Sequence, residues 1–266
     1  MRTLPRRART AALVMPVLLV ASTGCDIAMA DFKQKETAEW RKTYQLQPGG
    51  HVEISNINGK IEVEPAGGNT LEVVAVKSAR AASAEAAKQA LERIEIRETA
   101  SPNDVRVETH IQRGSSFMGG GSLGVEYTVR VPAGADVKFT TVNGGIEING
   151  IKGRINAETT NGGIKAFDVT GAIDASTTNG GVDVDLAQVA EGGVKLGCTN
   201  GGIKLRLPGD ARATISARIT NGGIDASGLQ IESSESTRRR LEGKLNGGGP
   251  RIEIEGTNGG IRISSR

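Results

Sequence analysis

Six times in its second half the chain spells Asn-Gly-Gly followed by a β-branched residue. The copies begin at Asn143, Asn161, Asn179, Asn200, Asn221 and Asn258, with Thr before the Asn in all but the first. Recurrence of this kind is the mark of a stacked repeat, in which each unit is too small to bury its own core. The residues around each Asn say what the unit is. Three and five positions after it the side chains are apolar in every copy, as in Ile164 and Ala166 or Ile203 and Leu205. Six and four positions before it they are apolar as well, as in Ile155 and Ala157 or Val194 and Leu196. Mostly polar residues stand between them. Period-2 alternation on both sides of the Asn predicts two short half-buried strands joined at a corner.

Successive Asn are 18, 18, 21, 21 and 37 residues apart, which sets a coil of about 18 residues carrying insertions. The predicted fold is all-β, a β-solenoid (a single-stranded β-helix). Two further expectations attach to the corner. A turn within one coil calls for positive φ, which Gly adopts freely and Asn tolerates. Stacked corners would also let the Asn amides hydrogen-bond along the column. Four residues after each Asn, Glu147, Lys165, Asp183, Lys204, Asp225 and Arg262 alternate in sign. With coils stacked in chain order, Lys204 is expected between Asp183 and Asp225, and Asp185 beside Arg206.

The rest of the chain is read around this array. Residues 1–24 have a basic start at Arg2, Arg6, Arg7 and Arg9 and an apolar stretch from Ala11 to Ala21, the pattern of an export signal. Ser22-Thr23-Gly24-Cys25 resembles a bacterial lipobox, which implies acylation of Cys25 and membrane attachment through that anchor. Ala28-Met29-Ala30 resembles an ordinary cleavage site, which would place the end at residue 30. Removing the four signal arginines leaves 29 Lys and Arg against 30 Asp and Glu. A neutral mature chain gives no electrostatic reason to expect nucleic acid. Cys198, the remaining cysteine, falls in an inward slot held by Thr in neighbouring copies and reads as a buried structural thiol.

Residues 31–133 precede the regular array at 134–266. Trp40, Tyr44 and Leu46 share one face of an opening strand, and Asn58 marks a degenerate first coil with Gly59-Lys60 in place of Gly-Gly. Between them and the array the pattern predicts a strand at 71–76, a helix at about 83–93, and strands at 95–98 and 105–111. The one short helix is expected to cover an edge or end of the stack. Gly114–Gly124 contains a formal Gly-x-Gly-x-x-Gly, but a strand follows it rather than a helix, so it reads as a loop displaying Phe117 and Met118. Residues 230–243, with the triplet Arg238-Arg239-Arg240, read as a charged surface loop.

The exported start, the strand Tyr127-Thr-Val-Arg-Val-Pro132, the Thr-x-Asn-Gly-Gly-Ile repeats and the return segment from Leu245 to Pro250 resemble one family. It is the bacterial adhesin-like β-strand-repeat family, a family of unknown function related to the head-GIN adhesin-like proteins. The resemblance implies an envelope-associated β-solenoid. Two His residues, no hydrolase or zinc-protease motif and 3% aromatic residues give no expectation of catalysis, cofactor or metal. The leading expectation is a non-enzymatic structural or interaction module with an envelope protein or glycan as partner. The alternative is an envelope-stress sensor that binds a peptide or partner protein, and the third a glycan-active β-helix enzyme.

Overall fold

A computed structural model describes residues 34–112 and 121–266. The export signal, Cys25, Phe117 and Met118 lie outside the described residues. Strand β1 (Gln34–Gln45) leads into β2 (His51–Ser55) and β3 (Ile61–Ala66), which flank the corner at Asn58. The insertion supplies β4 (Thr70–Ala81), α1 (Ala84–Glu92), β5 (Ile94–Ala100) and β6 (Asp104–Ile111), followed by β7 (Ser122–Pro132). Strand pairs then flank successive corners. They are β8 (Asp136–Asn143) with β9 (Ile146–Asn149), β10 (Ile155–Asn161) with β11 (Ile164–Val169), β12 (Ile173–Asn179) with β13 (Val182–Leu186), and β14 (Val194–Asn200) with β15 (Ile203–Leu207). In the last two copies the strand runs through the corner, as β16 (Ala213–Asp225) and β19 (Arg251–Ser265). Between these lie β17 (Ile231–Ser236) and β18 (Arg240–Leu245).

The strands form two parallel ladders that share every corner. Those before the Asn pair in the order β6, β2, β8, β10, β12, β14, β19, β16, and those after it in the order β7, β3, β9, β11, β13, β15, β19, β16. Register is kept column by column, so Ile155 lies opposite Ile173 and Val137, and Ile164 opposite Val182 and Ile146. A shift of one residue would turn every apolar side chain outward, which is what fixes the register. The apolar columns meet between the ladders as a continuous buried core. The result is a solenoid-like all-β stack.

Coil order departs from chain order at both ends, and this corrects the expectation of sequential stacking. The Asn58 coil lies between β6–β7 and β8–β9. The Asn258 coil lies between those of Asn200 and Asn221. After β15 the chain skips one coil position, builds β16 beyond it, reverses through β17 and β18, and returns as β19 to fill the gap. Residues 230–243, expected as a loop, are thus mostly a hairpin. Leu241 and Leu245 are buried, and β18 runs antiparallel to β16 and to β17.

Antiparallel strands finish the other end. β5 pairs with β6 on one ladder, and β4 and then β1 extend the second ladder past β7. Helix α1 begins where the Ser83 hydroxyl accepts a bond from the Ala86 N–H, and it buries Ala87 and Ala90. It packs on β4 and β1, and Trp40 and Tyr44 of β1 pack against the core.

Candidate interaction face

The corner is the most regular surface feature. Each Asn side chain donates to the one before it in the stack, Asn161 to Asn143 at 2.8 Å, Asn179 to Asn161 at 2.9 Å and Asn200 to Asn179 at 2.9 Å. The column continues through Asn258 to Asn200 at 2.8 Å and Asn221 to Asn258 at 2.9 Å. At its other end Asn143 donates to Asn58 at 2.7 Å, and Asn58 to the Leu123 carbonyl at 3.0 Å. The backbone bonds run the opposite way, with Gly144 N–H donating to the Asn161 carbonyl at 2.9 Å and Gly162 N–H to that of Asn179 at 2.8 Å.

Positive φ is not what the motif needs at every corner. No repeat Asn has it, and neither do Gly144 and Gly162. The shared requirement is space. A Cβ on Gly162 would lie 2.0 Å from the Gly144 carbonyl oxygen, and one on Gly144 2.0 Å from that of Gly59. The second Gly is looser, with 3.4 Å at Gly163, and Lys60 occupies that position in the first coil.

Two residues before the corner an inward hydroxyl caps a glycine carbonyl of the preceding coil. Thr159 bonds Gly144 at 2.9 Å and Thr177 bonds Gly162 at 2.8 Å. Cys198 fills the same slot, its Sγ 3.3 Å from the Gly180 carbonyl, and burial pushes its thiol pKa up. Both features disfavour the reactive thiolate.

Outward side chains of the first ladder shape a shallow groove of about 560 Å³. Along the stack one column reads Glu158, Ser176, Gly197, Glu255, Arg218. The concavity exists because Ser176 and Gly197 are small while their neighbours are long. Beside it stand the exposed hydroxyls of Thr178, Thr199, Thr257 and Thr220, the residues that precede each Asn. Repetition of the Thr was visible in the sequence. The notch was not, because it depends on which coils are neighbours.

The second ladder carries the charges. Lys60 pairs with Glu147 at 2.9 Å, and Arg206 reaches Asp183 at 2.8 Å and Asp185 at 3.1 Å while lying 5.9 Å over the Phe167 ring. These carboxylates, Asp185 foremost, hold the Arg206 pKa above its ordinary value. Arg262 pairs with Asp225 at 3.3 Å. The expected alternation breaks at the interposed coil, since Lys204 lies between Asp183 and Arg262 rather than between two acids. Lys204→Glu therefore exchanges a like-charged neighbour for an opposite one on one side and does the reverse on the other. Its effect on stability is expected within about 0.5 kcal/mol and nearly salt-independent, as denaturant melts at low and high salt would show.

Among the described residues no group of three His, Cys, Asp or Glu side chains is placed to hold a metal ion. His110 sits on β6 beside Glu108, 3.1 Å away, and His51 opens β2.

The family model Toastrack DUF4097 matches residues 42–264. The chain belongs to the Toastrack family. The match spans the early strands, the insertion and the Asn-Gly-Gly array together. No curated protein matches this Toastrack chain in sequence. Among solved structures, one described as a candidate cell adhesion protein of Clostridium sporogenes is 13% identical. The likeness covers 86% of this chain and 100% of that one, with a TM-score of 0.52. A candidate adhesin of Bacteroides fragilis is 9% identical over 86% of this chain and 97% of its own, with a TM-score of 0.37. At 13% identity the Clostridium likeness is one of fold.

Proposed function

We propose that this Toastrack protein is an exported, non-enzymatic, adhesin-like module of the cell envelope. In this reading it is held on a membrane by a lipid on Cys25 and presents the broad face of a β-solenoid to an envelope glycan or protein. The observation that carries the reading is the groove on the first ladder. Its two acidic residues, Glu158 and Glu255, stand three coil steps apart along the backbone, about 14 Å at ~4.8 Å per step. Between the two lie hydroxyls and bare backbone, groups that hydrogen-bond a polymer without breaking it. The fold shared with a candidate cell adhesion protein supports the same reading.

Two measurements test it. Cys25→Ala is expected to release the protein from membranes or block its processing; unchanged membrane association contradicts the anchor. Purified protein is expected to co-sediment with isolated envelope glycan and to release no soluble sugar. Thr178→Arg with Thr199→Arg should weaken that binding at least tenfold without lowering the melting temperature. Unchanged binding in the double variant removes the face from the proposal, and sugar release favours a hydrolase instead. A second, regulatory reading, in which a peptide or partner protein is bound, is favoured by the unequal covering of the two ends of the stack.

A further inference from the structure

The groove on the first ladder is polar in a way that limits what it can hold. Its floor is the hydroxyl of Ser176, the bare backbone of Gly197 and the row of Thr178, Thr199, Thr257 and Thr220. Among the described residues no aromatic side chain lines it, so no ring can stack against a sugar there. Affinity has to come from hydrogen bonds and charge. An extended peptide needs a free sheet edge or pockets for alternate side chains, and the groove offers neither. Strands β10, β12, β14, β19 and β16 beneath it spend their backbone bonds on one another. The apolar residues at its floor, Cys198 and Ile219, are buried in the core.

Charge narrows the ligand further. Glu158 and Glu255 outnumber Arg218, the one cation lining the groove among the described residues. Arg218 lies opposite Glu255 in the ladder, yet its guanidinium turns to Glu242 on β18 at 3.3 Å. Among the described residues Glu158 and Glu255 therefore have no ion-pair partner. Elsewhere on the stack such carboxylates are matched, as Glu53 is by Lys138 at 2.8 Å on the same ladder. The adjoining outward column, Asn156, Asp174, Lys195, Glu253 and Ser216, again holds two acids and one cation. Arg154 and Arg251 stand one column beyond it, on the side away from the Thr row. The mature chain is close to neutral, so the surplus of acid is local to the groove.

We propose that the groove selects an envelope glycan carrying free amines, a polymer of glucosamine-type units. Its hydroxyls bond the Thr row and the floor, and its ammonium groups meet Glu158 and Glu255. This rests on the reading of the groove as the binding face and adds the chemistry of what that face takes. An N-acetylated glycan offers similar hydroxyls without the charge, and an anionic one is repelled. Both acidic residues are exposed, so the selectivity is moderate and screened by salt.

The test uses the full chain with glucosamine oligomers and N-acetylglucosamine oligomers of equal length, at a pH where the free amines are protonated. Calorimetry is expected to show the amine-bearing oligomer binding at least fivefold tighter at low salt, with the preference shrinking as salt is added. Glu158→Gln with Glu255→Gln should remove the preference and leave the melting temperature unchanged, since neither side chain has an ion-pair partner to lose. Arg218→Gln should strengthen it. Thr178→Arg with Thr199→Arg should weaken both oligomers. Equal binding of the two oligomers, lost together in the Thr variant, overturns the charge selection and leaves the groove as the binding face. A preference that survives the Glu variant places the amine site elsewhere and overturns the proposal. Failure of both oligomers to bind overturns it too, while co-sedimentation with isolated envelope glycan judges the groove separately. Glu-dependent binding of a lysine oligomer that exceeds that of the glucosamine oligomer identifies a peptide ligand instead. The two oligomers and the salt series decide the matter on the unmodified protein even if a variant folds poorly.

Discussion

Gly162→Ala is expected to destabilise the protein by more than ~4 kcal/mol, and Gly163→Ala, one residue on, by less than ~1 kcal/mol. The added Cβ at Gly162 would stand 2.0 Å from the Gly144 carbonyl oxygen and 2.5 Å from its carbon. These are backbone atoms, and the Gly144 N–H is itself tied to the Asn161 carbonyl at 2.9 Å. No side-chain rotation relieves the contact, so the coils would have to part. At Gly163 the nearest backbone atom would be 3.4 Å away, a contact a small shift accommodates. Denaturant unfolding of both variants measures the difference. Equal losses would mean that conformational freedom, rather than close approach between coils, explains the double glycine.

The second large effect concerns whole coils. Deleting 161–178 removes one 18-residue period and joins Thr160 to Asn179, so every inward column, the Asn ladder and the Gly contacts can re-form one step shorter. This variant is expected to fold and unfold cooperatively, with an m-value reduced in proportion to the surface it no longer buries. Deleting 161–169 removes nine residues, takes away a corner with its following strand, and leaves the apolar columns with no register to join. That variant is expected not to fold. Comparable denaturant transitions in both would contradict the 18-residue coil.

The strands were legible because alternation and corner spacing are local. Ile164 and Ala166 point inward for the reason they alternate with Lys165 and Phe167, and the helix expected at about 83–93 is α1 at Ala84–Glu92. Coil order was not legible. All copies carry the same apolar columns and the same Asn, so each corner can stack on any other, and the sign alternation from Glu147 to Arg262 matched the wrong order as well as it matched part of the right one. The hairpin of β17 and β18 was hidden for a related reason. Ser233 to Ser236 show no alternation of their own, and β17 exists because β18, with Leu241 and Leu245 buried, offers it a partner. The groove between Glu158 and Glu255 was out of reach because Glu255 adjoins Gly197 only through the interposed coil.

That interposed coil is tested most directly by cross-linking. In a Cys25→Ser, Cys198→Thr background, Lys204→Cys with Arg262→Cys places two thiols on directly paired residues, one step or ~4.8 Å apart. Lys204→Cys with Asp225→Cys places them two steps apart, roughly 9.6 Å, beyond the ~7 Å that a disulfide spans. Mild oxidation followed by peptide mapping is expected to give the disulfide in the first pair and free thiols in the second. A disulfide between positions 204 and 225, with free thiols at 204 and 262, would show coils stacked in chain order and contradict the architecture described.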